Sequence, residues 1–220
     1  MGLPLYALKK LAPHLKGARV LCMGYPDIVA SAEQLKEAFG FPTTLFTNRA
    51  EVHKAPFQLP ETMEVFKRFG ADMECVDVFS HTGFEKIVDL NHPCDLGKFD
   101  LVIDPGTLEH CFNIGQAMMN AANAVKAGGR IFHLSPLMMI NHGFYNICPT
   151  MMFDFYTQNN WEIDTLEAVN STNVKFHEIN RFHMNIEYIM CCFAKRKTEA
   201  VLRCPTQSKY LMSIPAQKAA

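Results

Sequence analysis

The 220-residue chain contains no apolar run approaching the ~20 residues that a helix needs to cross a bilayer. Residues 1–20 are amphipathic but lack the apolar core and small-residue cleavage site of a secretory signal, so a cytoplasmic protein without membrane insertion is expected. Neither sign of charge dominates, with 21 basic against 22 acidic residues, and the longest basic cluster is Lys195-Arg196-Lys197 at a strand end. A duplex-binding surface needs many phosphate-neutralising side chains, so nucleic acid is not an expected partner. The eight cysteines include no C-x-x-C pair, and the nine histidines are dispersed. That spacing favours neither a disulfide framework nor zinc, and no metal site is expected. Cys22, Cys75, Cys191 and Cys192 lie inside apolar runs, where cysteine serves as a small hydrophobe. No serine (31, 80, 135, 171, 208, 213) sits in the G-x-S-x-G elbow of an α/β hydrolase. Internal repeats and low-complexity stretches are also absent.

What is present is an alternation of buried-strand and helix patterns. Apolar runs at 18–24, 72–79, 85–91, 98–106 and 129–136 read as strands, and so do 161–169 and 185–196. Helix patterns fall at 31–40, with Ser31 as N-cap and Gly40 as stop, and at 59–71, with Pro60 in the first turn and Gly70 as terminator. Two more helices are expected at 113–129, ended by Gly128-Gly129, and at 149–160, opened by Pro149. Continuous apolar strands separated by helices define an α/β chain with a parallel sheet covered by helices on both faces. The last two strands have only the polar segment 170–184 between them, which implies an antiparallel ending. Residues 198–220 read as a loosely ordered tail behind a single domain, 1–197.

Between the first two strands lie residues 25–72, more than one crossover helix requires, including a proline-bearing loop at 41–60. The loop leaves the carboxyl end of the first strand, where open α/β sheets bind ligands. A lid or substrate wall and a plain insertion on the sheet edge are both open readings. Other strand ends carry Asp77, Asp89 with Asn91, the turn Asp104-Pro105-Gly106-Thr107 with Glu109 and His110, and His133 with Ser135. A carboxylate at 77 can accept from both hydroxyls of a ribose, or cap the next segment. Asp89 can accept from an adenine amino group, or shape the turn of "DLNHP". Thr107 is a candidate N-cap and Glu109 suits the positive end of the helix it would open, while His110 titrates in the working range. After the fifth strand, His142, Gly143, Phe144 and Tyr145 offer proton carriers and a close backbone approach, or an aromatic anchor for the loop.

Together, "VLCMG" (20–24), "VD" (76–77), "IVDLN" (87–91), "FDLVIDPGTLEHCFN" (99–113), "AVKAGGRIFHLSP" (124–136) and "NHGFYNICPTMMFDFYTQNNWEI" (141–163) resemble the class I S-adenosylmethionine-dependent methyltransferases over residues 18–195. The resemblance implies a Rossmann-like seven-stranded, mostly parallel sheet whose last strand is antiparallel. It implies S-adenosylmethionine as cofactor, with Gly24 near its methionine part, Asp77 at the ribose, Asp89 at the adenine and Asp104 at the methionine amino group. Gly106 and His110 would border the transfer point, and His142 and Tyr145 would face the acceptor. Methyl transfer to an oxygen or nitrogen of a small molecule follows, with His142, His110 or Tyr145 as base. The "HGFY" block is similar to that of bacterial members acting on small molecules or glycans, and a homodimer is a candidate assembly. The family's G-x-G is here Gly24-Tyr25-Pro26. That departure opposes a pyrophosphate site, which needs backbone N–H groups, and leaves a catalytically inactive scaffolding protein as the alternative.

Overall fold

A computed structural model describes residues 2–139, 141–170, 175–178 and 189–208. Its main sheet begins with β2 (Arg19–Met23), preceded by a short β1 (Gly2–Pro4) and helix α1 (Leu5–Leu11) that the amphipathic N-terminal pattern left unassigned. β2 is flanked in space by β6 (Asp72–Asp77) and β8 (Phe99–Asp104), and both pair with it in parallel. β7 (Glu85–Ile87) extends the sheet in parallel beyond β6, and β9 (Val125–Pro136) extends it in parallel beyond β8. β12 (Ile189–Arg196) runs antiparallel to β9 on one side and to β10 (Trp161–Asn170) on the other. This is the seven-stranded sheet with one reversed strand. An eighth, β11 (Lys175–Glu178), pairs antiparallel with β10 inside the segment read as irregular, so the order is β11-β10-β12-β9-β8-β2-β6-β7. The rest of 170–184 and the start of the strand expected at 185–196 lie outside the described residues.

Alternation along the central strands explains why both faces are apolar. Val20 and Cys22 point into one core cluster, Leu21 and Met23 into the other. On β12, Cys191 and Phe193 join the first cluster, Cys192 and Ala194 the second. The first face is covered by α1, α2 (Ala32–Phe39) and α3 (Thr62–Arg68), contributing Leu8, Leu11, Leu35, Val65 and Phe66. The second is covered by α4 (Ile114–Asn123) and α5 (Pro149–Gln158), contributing Ala117, Met118, Ala121, Met152 and Tyr156. Burial pushes the Cys75 thiol up to about 12, so it behaves as a packing group rather than a reactive one. Among the described residues no helix is long and apolar enough to cross a membrane.

Local chemistry sets the ends of these elements. Ser31 and Gln34 form a reciprocal capping box at the start of α2, and Gly40 closes it. Glu61 caps α3, accepting from the Met63 and Glu64 N–H groups at 3.0 and 2.7 Å, so Pro60 lies before the first turn and not in it; it belongs to β5 (Leu59–Pro60), which pairs with β4 (Phe46–Thr47). The double glycine does not end α4, which stops at Asn123. It forms a bulge within β9, where the pairing jumps from Phe99↔Val125 to Leu101↔Arg130. Gly128 has φ +80°, and a Cβ at 129 would lie 2.8 Å from the Asp100 carbonyl oxygen. Gly129→Ala is therefore expected to destabilise the fold by about 1–3 kcal/mol in urea unfolding, whereas unchanged stability would refute this close approach.

Residues 198–208, expected as part of a loose tail, are tied down. Leu202 is buried in the second core, Asn159 exchanges hydrogen bonds with Arg203 (2.8 and 3.0 Å), and Ser208 bonds Asp154. Residues 209–220 lie outside the described residues.

Candidate active site

β2 ends at Gly24, whose φ of +77° turns the chain while its N–H donates to the Val76 carbonyl at 2.6 Å. The side chain of Tyr25 folds inward. Its hydroxyl donates to Glu61 Oε1 (2.5 Å) and accepts from the Thr62 N–H (3.1 Å), while the Pro26 carbonyl accepts from Thr62 Oγ1 (3.0 Å). The two residues that replace a glycine-rich turn thus fasten the strand end to the start of α3. Asp27 is buried, and both of its oxygens accept from Arg49 Nε (2.7 and 3.0 Å), with His53 Nε2 2.8 Å from one of them. Burial alone would raise this carboxyl, but the His53 and Arg49 bonds outweigh it and hold the pKa below the usual value. In this way Asp27 clamps the 41–60 loop against the sheet.

Two clefts open beyond the strand ends. The first, of about 380 Å³, is lined by Tyr25, Arg49, Asp77, Asp89, His110 and the apolar neighbours of the two aspartates. The second, of about 340 Å³, is lined by His53, Gly106, Glu109, His110, Ser135 and His142, among others. His110 is common to both, and the 41–60 loop supplies a wall to each.

The expected site residues divide between these spaces and the interior. Asp77 lines the first cleft with one oxygen bonded to the Val78 N–H at 2.7 Å, beside Val78 and Phe79, which are 50% and 64% exposed. Asp89 lines it too. Its Oδ1 accepts from the Asn91 backbone and side-chain amides (2.9 and 2.8 Å), which hold its carboxyl below the usual range, so it also shapes the turn. Asp104 lines neither cleft. Its carboxylate is buried, accepting from His133 Nδ1 (2.7 Å) and from the Thr107 and Leu108 N–H groups (2.8 and 3.3 Å). Fully buried and outside both clefts, it is not presented to a ligand's methionine amino group. His133 Nε2 in turn accepts from the Tyr156 hydroxyl at 2.5 Å. Asp104, rather than Thr107, therefore caps the short turn Leu108–His110.

Tyr145 is likewise drawn away from the clefts, donating its hydroxyl to the Phe112 carbonyl at 2.8 Å, so it anchors its loop. That loop is clamped onto the turn, with the Phe144 and Tyr145 N–H groups both donating to the Glu109 carbonyl (2.8 and 3.3 Å). A Cβ on Gly143 would meet that carbonyl at 2.8 Å, which is the close approach its glycine allows.

The residue that sequence reasoning misplaced is Glu109. The turn it occupies is three residues long, too short to present a helix dipole, and its side chain points inward. Burial first, and then the Asp104 charge, raise its carboxyl to about 8. Neither oxygen has a hydrogen-bond partner among the described residues, and His142 Nε2 stands 3.5 Å from Oε1. The signal that could have found it is the pair of glycines around it, since a Cβ on Gly106 would stand 2.9 Å from Glu109 Oε1. His110 and His142 face one another with ring centroids 5.1 Å apart; partial burial and then the neighbouring imidazole lower the His110 pKa.

No protein-family model and no curated protein matches this chain. Solved structures do match, and with the strand order above they define the fold: it is the class I methyltransferase fold. In particular, the chain is similar to 1,6-didemethyltoxoflavin-N1-methyltransferase of Burkholderia thailandensis, solved with 1,6-didemethyltoxoflavin and S-adenosylhomocysteine. The two are 13% identical over 86% of this chain and 75% of that one, with a TM-score of 0.50. TehB of Haemophilus influenzae is 9% identical over 76% of this chain and 67% of its own, with a TM-score of 0.48. For the N-methyltransferase NodS of Bradyrhizobium japonicum the figures are 13%, 87%, 96% and 0.40. At these identities the likeness is one of fold.

Proposed function

We propose that the chain is an S-adenosylmethionine-dependent methyltransferase, with the cofactor in the first cleft and a small-molecule acceptor in the second. The observation that carries this reading is the pair of adjoining clefts sharing His110, one bearing Asp77 and Asp89 and the other bearing Glu109, Ser135 and His142. The first cleft fits this cofactor better than a dinucleotide. The Gly24 N–H is taken by Val76, Pro26 has none, and the Asp27 N–H bonds the Tyr25 carbonyl, so a pyrophosphate lacks its donors and would meet two carboxylates. S-adenosylmethionine carries no phosphate. Asp77 would accept from the ribose hydroxyls, Asp89 from the adenine amino group, and exposed Val78 and Phe79 would cover the flat base. Gly24 lines neither cleft; it turns the chain at the strand end so that Tyr25, the next residue, lines the first. Asp104 serves instead by holding the turn that carries His110.

When bound, the cofactor supplies a methyl group on a sulfonium, whose sulfur leaves readily. The residues of this chain mainly hold donor and acceptor in line across His110 and keep water out. His142 and His110 are the bases within reach of an acceptor in the second cleft. Its polar groups, His53, Glu109, His110, Ser135 and His142, stand in an otherwise apolar wall that includes Leu134 and Met139, which suits an acceptor carrying a hydroxyl or amine on an apolar body.

Thermal unfolding with S-adenosylhomocysteine tests the reading. A ligand that binds only the folded chain adds about 2.7 kcal/mol at a hundred times its dissociation constant, so a rise of several degrees is expected. No shift at millimolar ligand would leave the fold as a scaffold without this cofactor.

A further inference from the structure

We propose that Glu109, His110 and His142 form a binding site for one divalent transition-metal ion of the zinc kind, at the wall between the two clefts. One carboxylate oxygen and one nitrogen from each imidazole lie within 4.8 Å of one another. A metal ion with bonds of about 2.0–2.2 Å needs them closer still. The adjustment falls on the imidazoles, since His142 is 41% exposed in its side chain and His110 is also exposed.

The independent observation is the state of Glu109. Its side chain is 1% exposed, and neither oxygen has a hydrogen-bond donor among the described residues. Buried carboxylates are ordinarily paired or bound to metal, because an isolated one is costly. No lysine or arginine lines the second cleft, and the one arginine of the first, Arg49, is engaged by Asp27. A proton on the carboxyl, or an ion held together with the two histidines, would remove the cost of burying it. The position is also built around. Gly106 and Gly143 leave space that a Cβ would fill within 3.0 Å of the Glu109 side chain, and the Glu109 carbonyl pins the loop that carries His142.

Two imidazoles and one carboxylate form a donor set that zinc, iron and similar ions accept with coordination positions left over. An open position here faces the second cleft, where an acceptor oxygen or nitrogen would take it; with the ion bound, His110 and His142 serve as its ligands and not as bases. Only that last role rests on the methyl-transfer reading; the binding of metal does not.

Isothermal calorimetry with zinc chloride on the full chain tests the site, in a Cys148→Ser, Cys204→Ser background that removes the two exposed thiols. One zinc per chain is expected, with Co²⁺ giving visible d–d bands at the same stoichiometry. Glu109→Gln and His142→Ala should each weaken zinc binding at least about 10-fold, with unfolding midpoints recorded to certify the fold. His142→Ala, on an exposed loop position, keeps the test available if Glu109→Gln does not fold. Absence of stoichiometric binding, or binding untouched in the folded variants, would overturn the proposal. A parallel titration with S-adenosylhomocysteine keeps a failure of the metal site apart from a failure of the cofactor cleft.

Discussion

Asp104→Ala is expected to lower the free energy of unfolding by about 3–5 kcal/mol, because it takes the acceptor from three donors at once, each unsatisfied group costing about 1–3 kcal/mol. The carboxylate sits at the end of β8, in register with His133 on β9, and accepts from that imidazole and from two backbone N–H groups. A carboxylate can only accept here, so His133 carries its proton on Nδ1 and its Nε2 accepts from Tyr156, which reaches in from α5. Removing Asp104 takes the acceptor from the Nδ1–H and both backbone donors at once, and of these the His133 and Leu108 donors are buried. Urea unfolding against the parent chain measures the loss, and a change below about 1 kcal/mol would overturn this account of the network. The same substitution removes the negative charge that helps raise Glu109, so the Glu109 carboxyl should titrate below its present value of about 8.

Asp77→Ala should reduce affinity for S-adenosylhomocysteine by roughly 100-fold or more. Two charge-assisted hydrogen bonds to ribose hydroxyls, as proposed for Asp77, would contribute about 1.5–3 kcal/mol each. One oxygen of Asp77 also accepts from the Val78 N–H, but this bond is local and exposed, so the fold should survive its loss. Calorimetry reads the affinity directly. Near-native binding by a folded Asp77→Ala chain would remove Asp77 from the cofactor cleft, and Asp77→Asn, which keeps an acceptor, should fall between the two.

The fold was legible because buried strands announce themselves. The runs that became β2, β8 and β12 are apolar on both faces, and the capping pair Ser31 and Gly40 bounds α2 as local chemistry requires. What stayed hidden depended on distant partners. β1 and β3 (Asp27–Val29) pair in parallel over three residues each, too short for any periodicity. Gly128-Gly129 reads equally as a helix stop or a strand bulge until Asp100 is known to press against it. In the site, position at a strand end placed Asp77, Asp89 and His110 at the clefts, but it could not tell which way a carboxylate turns. Asp104 is drawn inward by a histidine 29 residues away, and Asp27 is covered by Arg49 and His53 from 22 and 26 residues away. Glu109 was hidden for the opposite reason: a three-residue turn gives no pattern from which to read a facing direction.

The place of β12 has a consequence for how the chain is made. β9 and β10 follow one another along the chain, yet in the sheet they are held together by a strand that leaves the ribosome only after both. Until Ile189–Arg196 emerges, a nascent chain can assemble β7, β6, β2, β8 and β9, and with them every residue of the first cleft. The outer edge of β9 then stays open, an invitation to pairing with a neighbouring chain. The first cleft can thus form during synthesis, and a cofactor bound there, as proposed, would stabilise the half-finished sheet during the interval when it is most exposed to aggregation.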